Sequence, residues 1–467
     1  VYLEKFRVRK MIAYRNDERI NFISTSIQRR VARSARDAPL GDLLHAKRVC
    51  KPLVLRFSPR TSGANLPRLS LKSVPPLSIV VLTLAIEVMG GGLLFPVLPY
   101  LVEEFDSNAF TIGALAASFS AAQFLAAPVL GTISDRVGRR PILILCTFGT
   151  AIAFFLFGFA QSLMVMFVAQ ITNGLTGGVV STAQAYIADV SKTPEERTKN
   201  FGLIGSAFGI GFILGPLLGG VLAGVDLKLP VFVAGAIALL NSTLAALILP
   251  ESLKERRKEP IRLGDFNPLT QLWDLFRRRE LQGLLIGYFV FFLAFSGFTS
   301  IFVVWVRDRF AWGPIPAGSV LFWVGVVASI VQGGLLRKLL PRFGELRLTL
   351  AGFSMVAIAF CFIAIIPAGA FLYATQTLFA FGVGIASPSI RGILSSSVAD
   401  HEQGKVSGGT LSLGSLTQIC GPLFVGWTYD HWFQNSPMWI GAGLSGVAIG
   451  AIVLGAWGRR PPKSVSM

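Results

Sequence analysis

The chain has 467 residues, 52% of them hydrophobic and only 15% charged, and its mean hydropathy is +0.62. That balance exceeds what a soluble globular chain carries, so most of the chain must lie in membrane. The formal charge of +18 would suit nucleic acid if it were spread along the chain. It is not: residues 1–74 hold about 17 Lys and Arg against about 5 Asp and Glu, roughly two-thirds of the net charge, with few aromatic residues among them.

This N-terminal segment reads as a disordered or loosely helical cytoplasmic extension that touches anionic lipid headgroups, and no nucleic-acid partner is expected. Residues 24–36 are rich in Arg and Ser, as a transit peptide would be, although nearby acids argue against that; Met11 is a candidate start. Beyond the tail, apolar windows of about twenty residues predict helices over 77–101, 110–130, 141–160, 162–187, 200–223 and 229–249. A second series follows over 282–306, 316–336, 346–367, 369–396, 406–428 and 437–457. The expected fold is therefore all-α: a polytopic membrane protein of about 12 transmembrane helices in two pseudo-symmetric six-helix bundles, 75–250 and 282–458. A charged cytoplasmic linker over 251–281, with Pro260 and Pro268, joins them, and a cytoplasmic tail over 459–467 ends the chain.

Short identities support the two halves. Arg136-Val-Gly138 answers Arg342-Phe-Gly344, Gly215-Pro216 answers Gly421-Pro422 at the same offset, and Ala188-Asp189 answers Ala399-Asp400 at a similar one. Loops on one face carry Arg136, Arg139, Arg140, Lys192, Arg197, Lys199, Arg256, Arg257, Arg337, Lys338 and Arg342, against little beyond Lys228, Arg307 and Arg309 on the other. By the positive-inside rule, both termini are cytoplasmic.

Between the second and third predicted helices runs Gly131-Thr-Ile-Ser-Asp135-Arg136-Val-Gly138-Arg139-Arg140-Pro141. Its glycines allow close approach and a tight turn, and its acid and three arginines can form ion pairs that favour one arrangement of the helices. A charge cluster that only fixes topology would need the arginines but not this spacing of Gly and Asp. The run resembles the corresponding loop of the major facilitator superfamily, G-x-x-x-D-R-x-G-R-K/R, at every position. The resemblance implies a cytoplasmic gate of Gly131, Asp135, Arg136, Gly138, Arg139 and Arg140, with Asp189 at the end of the fourth helix as acid partner of Arg139. The gate is expected to hold the cytoplasmic helix ends together in the outward-facing state and to part for inward opening.

In the fifth helix, Gly202-x8-Gly211-x3-Gly215-Pro216-x2-Gly219-Gly220 makes a flat face with a bend. It resembles the antiporter motif of the drug-exporting branches of the superfamily, which implies export; the alternative is close packing with no bearing on direction. In the first helix, Glu87 is the only acid placed deep in hydrocarbon, roughly 15 Å beyond Leu77, where a carboxylate must be protonated or partnered. Glu87 is the expected proton-coupling residue, and a structural acid bonded to a neighbouring helix is the alternative. The run Glu87-Val-Met-Gly-Gly-Gly-Leu-Leu-Phe-Pro96-Val-Leu-Pro99 resembles the first helix of the tetracycline exporters, which have Asp in the place of Glu87. That closer resemblance continues through Asn173-Gly174 to Asp189 and Ser387-Pro388 to Gly404. It covers about residues 77 to 457. The chain departs from those exporters at Ala153, Ala328 and Val356, where they carry acidic or polar groups, and at Gln170-Ile-Thr-Asn173-Gly174, where the family has Arg four residues before the glycine.

Polar side chains on apolar helices, Gln123, Gln170, Asn173, Gln184, Tyr186, Asn241, Gln332, Gln376 and Gln418, are candidates for a substrate cavity, each with interhelical hydrogen bonding as its alternative. With 37 Phe residues and no Arg or Lys placed deep in a predicted helix, the cavity is expected to suit a lipophilic or amphipathic molecule and to disfavour sugar phosphates and dicarboxylates. Cys50, Cys146, Cys361 and Cys420, and His45, His401 and His431, have no metal-ligand or disulfide spacing, and phosphate-binding and hydrolase motifs are absent. No enzyme activity, cofactor or metal is expected. The expected protein is a secondary transporter in a plasma or bacterial inner membrane, or an organelle envelope if the tail is a transit peptide. It would work as a monomer on a small-molecule substrate and protons. An uptake symporter or facilitator of the same fold is one alternative, and a transport-inactive receptor or scaffold is another.

Overall fold

A segment in hydrocarbon must satisfy its own backbone N–H and C=O groups, which leaves helices as the solution for long apolar runs. The computed structural model describes residues 76–106, 108–253, 272–273, 275–398 and 403–457, and among them there are helices and no strands. The N-terminal tail, the core of the expected linker, His401, Ala399-Asp400 and the C-terminal tail lie outside the described residues.

The first half comprises α1 (Pro76–Leu94), α2 (Leu98–Glu103), α3 (Ala109–Val137), α4 (Arg139–Gly158), α5 (Leu163–Leu175), α6 (Val179–Val190), α7 (Pro194–Ala223) and α8 (Leu229–Ile248). The second comprises α9 (Arg279–Phe310), α10 (Pro314–Ile330), α11 (Leu336–Ile365), α12 (Leu372–Ser396), α13 (Gln403–His431) and α14 (Ser436–Trp457). Two of the helices expected to be continuous are broken. Pro96 and Pro99 separate α1 from α2, since proline lacks the N–H that a continuing helix needs. Thr176 to Gly178 separate α5 from α6, and the Gln123 side-chain amide donates to the freed Gly177 carbonyl at 3.1 Å. Conversely, α10 runs through a π-helical segment, Val331–Leu335, into α11, which kinks at Gly344 with φ of +73°.

Among the described residues, ten helical spans are long and apolar enough to cross a membrane. The longest, Pro314–Ile365, contains two crossings divided at Gly344, and α13, too polar for that measure, supplies another, which reconciles the structure with about twelve.

Packing repeats between the halves. In the first, α1 lies against α7 and α8, α4 against α8 and α5, and α3 against α5; in the second, α9 lies against α13 and α14, α11 against α14 and α12, and α10 against α12. The bundles meet along two seams, α3 with α13 and α7 with α10, which the same correspondence exchanges. Glycine governs the seams. A Cβ at Gly113 of α3 would collide with the Pro422 carbonyl of α13, and one at Gly318 of α10 would lie 2.5 Å from the Pro216 carbonyl of α7. We call the side of the α3–α4 turn the loop face. Along α7 and α10, close contact runs from Gly220 beside Pro314, at the opposite face, to Gly209 beside Ser329; nearer the loop face, a Cβ at Gly202, Gly205, Gly333 or Gly334 would meet nothing within 4 Å. Along this seam the bundles are therefore joined at the opposite face and part toward the loop face.

Within the first bundle, Gly211, Gly215 and Gly219 of α7 lie on α1. A Cβ at Gly215 would sit 2.7 Å from the Cα of Gly92, while Gly202 has no such neighbour. Gly215→Val should lower the detergent melting temperature by several degrees through overpacking of about 1–3 kcal/mol, and Gly202→Val should leave it nearly unchanged; circular-dichroism melts of both variants check this.

Candidate transport site

At the loop face, a glycine is required between α3 and α4. Gly138 has φ of +124°, a region closed to most side chains, and a Cβ there would meet the Glu251 carboxylate. The turn lets the two helices follow one another with the charged residues gathered around it. Arg139 is ion-paired with Asp135, its Nε lies 3.1 Å from Asp189 Oδ2, and its Nη1 donates to Ser134 Oγ at 2.6 Å. Arg140 Nη2 donates to the Ala246 carbonyl, which ties the start of α4 to the end of α8.

Sequence reasoning missed Glu251, which served there only as a linker boundary. Its Oε1 accepts the backbone N–H of Arg139 at 2.8 Å and its Oε2 that of Arg140 at 3.2 Å, so a carboxylate from the end of α8 caps the N-terminus of α4. Ser252 Oγ donates to Asp189 at 3.2 Å and completes the cluster. The only local signal was an acid directly after Pro250 at a helix end.

The expected gate residues gather here. Among the described residues, Asp135, Arg139, Asp189 and Glu251 all belong to the first half, and their contacts are intact while α7 and α10 part on this face. The contacts of the cluster brace α3, α4, α6 and the end of α8 within one bundle. Gly131 allows a side chain without collision, and Arg136 lies in the last turn of α3.

The opposite face carries the contacts that do cross. Arg307 of α9 is 3.0 Å from Glu103 of α2, and the Tyr100 hydroxyl donates to the Trp312 carbonyl. Asp430, at the end of α13, accepts the N–H groups of Ala109 at 3.0 Å and Phe110 at 2.8 Å, so a carboxylate of one bundle caps a helix of the other. Asp308 braces Arg307 at 2.8 Å and accepts the Tyr429 hydroxyl at 2.7 Å.

Between the faces, Thr150 of α4 donates to Glu87 of α1 at 3.2 Å, and no Lys, Arg or His lies within ion-pair distance of Glu87 among the described residues. The next residue, Val88, lies under Gly211 of α7, so the glycine run begins beside the acid. Gly220 faces away from α1 and touches Pro314 on the inter-bundle seam.

The cavity candidates divide. Asn241 is buried with its Oδ1 accepting from the Thr83 hydroxyl at 3.1 Å, and Tyr186 is buried with its hydroxyl donating to the Pro250 carbonyl at 2.9 Å, so both make links between helices. Gln376 and Gln170 are likewise buried, at 2% and 6% exposure, and Gln123 is engaged at the α5–α6 break. Asn173 and Gln184 are half-buried, and Gln332 and Gln418 are exposed. A cation near the end of a helix also reaches inward: Arg391 lies more than a turn inside α12, its guanidinium 5.9 Å from the Phe292 ring of α9. Among the described residues no three His, Cys, Asp or Glu side chains are grouped so as to hold a metal ion.

The sequence matches the profile of the Major Facilitator Superfamily over residues 80–417 and again over 338–466. It is 34% identical to the class C tetracycline resistance protein of Escherichia coli over 398 residues, 83% of this chain and 99% of that one. The chain belongs to the major facilitator superfamily. Multidrug resistance protein 2 of Bacillus subtilis is 29% identical, with 79% of this chain and 91% of the relative covered. In structure, the human organic anion transporter MFSD10 superposes with a TM-score of 0.64 at 25% identity, covering 81% of this chain and all of that one. The nucleoside transporter NupG superposes with a TM-score of 0.68 at 14% identity, with 83% of this chain and 100% of NupG covered, which shows the shared fold. As a superfamily member with many apolar crossing helices, the chain is an integral membrane transporter.

The Glu251 cap yields a test. Glu251→Ala should destabilise the protein by about 1–3 kcal/mol, since two helix N–H groups and their helix terminus lose a charged acceptor, while Glu251→Gln should retain part of that stability. Chemical-denaturation midpoints in detergent check the order wild type, Gln, Ala.

Proposed function

We propose that this chain is a proton-coupled antiporter that exports a small lipophilic or amphipathic compound by alternating access, with Glu87 carrying the proton. The observation behind this reading is the Glu87 site: a half-buried carboxylate on an apolar helix, with one hydroxyl donor, next to Val88 where α1 meets Gly211 of α7. Without a cation beside it, the group depends on access to water for its protonation state, and access is what a rocking of the bundles changes. Tetracycline and multidrug resistance proteins among the relatives favour efflux of a toxic compound, and a bacterial inner membrane as the location. With both termini cytoplasmic, the loop face is the inner one and the parted bundles correspond to an inward-facing state.

The decisive experiment takes a compound found by growth screening against a toxic panel and follows it in inverted vesicles under an imposed proton gradient. Glu87→Gln should abolish uphill, gradient-driven movement while downhill counterflow persists, and Glu87→Asp should keep part of the activity. Uphill movement by Glu87→Gln places the proton site elsewhere; movement with the proton gradient in wild type makes the protein a symporter.

Outward opening requires the seams at the opposite face to part. The Asp430 cap on α3 contributes about 0.5–2 kcal/mol to closure, so its loss should populate the outward-facing state several-fold more. In a background without the native cysteines, Asp430→Ala should raise maleimide labelling of a cysteine at Ala114; unchanged labelling would mean that the cap does not hold the gate.

A further inference from the structure

Arg391 is the cation that the expected transport chemistry leaves without a task. Side chains on a helix lean toward its N-terminus. Because α12 starts at the opposite face and ends at the loop face, Arg391 leans away from the loop face toward mid-membrane. Its guanidinium accordingly reaches Phe292 of α9, 5.9 Å from the ring centroid, and lies beside the Tyr288 hydroxyl. Phe292 directly precedes Leu293, the position that the internal repeat pairing Gly215 with Gly421 matches to Glu87. The first bundle thus presents an acid and the second a cation at about the same depth.

No carboxylate lies within ion-pair distance of Arg391 among the described residues, and the residue is exposed. A cation inside a membrane bundle needs an anion, and the ring face of Phe292 offsets only a small part of that need. Two half-buried rings, Phe292 and Phe295, lie 6.1 Å apart, backed by buried ones: Tyr288 is 4.4 Å from Phe292, and Phe379 of α12 stacks at 5.9 Å on Phe295. The cation therefore stands at the end of an apolar aromatic surface.

We propose that Arg391 determines substrate charge, binding the carboxylate or sulfonate of an amphipathic organic anion whose lipophilic body lies along Phe292 and Phe295. This deepens the proposed export function and rests on it. Guanidinium suits the role because its fork can give two parallel hydrogen bonds to either anion, and Lys at this position can give a point charge alone.

Two probes with the same ring framework isolate the charge: anilinonaphthalene sulfonate, which is anionic, and phenylnaphthylamine, which is neutral. Saturable binding to the full chain in lipid nanodiscs is read as energy transfer from tryptophan, with empty nanodiscs as blank. Arg391→Gln should weaken the sulfonate about ten-fold or more and leave the neutral probe within about two-fold. Arg391→Lys should fall between wild type and Gln for the sulfonate, a rescue that a purely structural role would not produce. Equal losses for both probes, an unchanged sulfonate affinity in Arg391→Gln, or no saturable sulfonate binding by wild type would each overturn the proposal. Uphill export that depends on Glu87, found together with any of these, would sink the Arg391 assignment while leaving proton-coupled export in place.

Discussion

Lipid tails are as apolar as leucine, so burying apolar surface does not tell one transmembrane helix which neighbour to choose. Close backbone approach does, and here it is made where a side chain is missing: Gly92 against Gly215 in the first half, Gly297 against Gly421 in the second, and Gly113 and Gly318 between the halves. The same device serves two ends. Inside each bundle it locks α1 to α7 and α9 to α13, giving rigid bodies. Between bundles it makes two narrow seams, and the one between α7 and α10 ends partway across, beyond Gly209 and Ser329, leaving the loop-face ends of those helices apart.

Charges are arranged around that division. At the loop face the cluster of Asp135, Arg139, Asp189 and Glu251 keeps one bundle's helix ends in register. At the opposite face Glu103 with Arg307, and Asp430 with the start of α3, cross between bundles. Rigid bodies joined by polar contacts on one side can rock when those contacts exchange for others, because ion pairs and helix caps at a water boundary trade against hydration at small net cost. The intramembrane groups, Glu87 and Arg391, sit on different bundles, so a rocking motion alters the surroundings of each.

Much of the fold was legible because hydropathy and glycine spacing are local signals. The glycines of α7 were read as a packing face, and the structure shows Gly211, Gly215 and Gly219 on α1. What escaped the sequence are pairings between distant segments. Nothing near Glu251 announces that it caps α4, and nothing near Asp430 announces α3. The polarity of Asn241 and Tyr186 on apolar helices is visible in sequence, whereas their Thr83 and Pro250 partners are not. Arg391 was overlooked for a geometric reason: it is close to the end of its helix by residue number, and only the lean of its side chain brings the charge to Phe292.

The central claim is that two rigid bundles exchange closure between faces about fixed glycine seams. Spin labels across the bundles, one pair spanning α2 and α9 at the opposite face and one spanning α7 and α10 near Gly202 and Gly334, report this by double electron–electron resonance. The account predicts a short distance at the opposite face with a long one at the loop face, and a reversal of both as the proton gradient and transported compound are supplied. Distances at the two faces that lengthen or shorten together would contradict it.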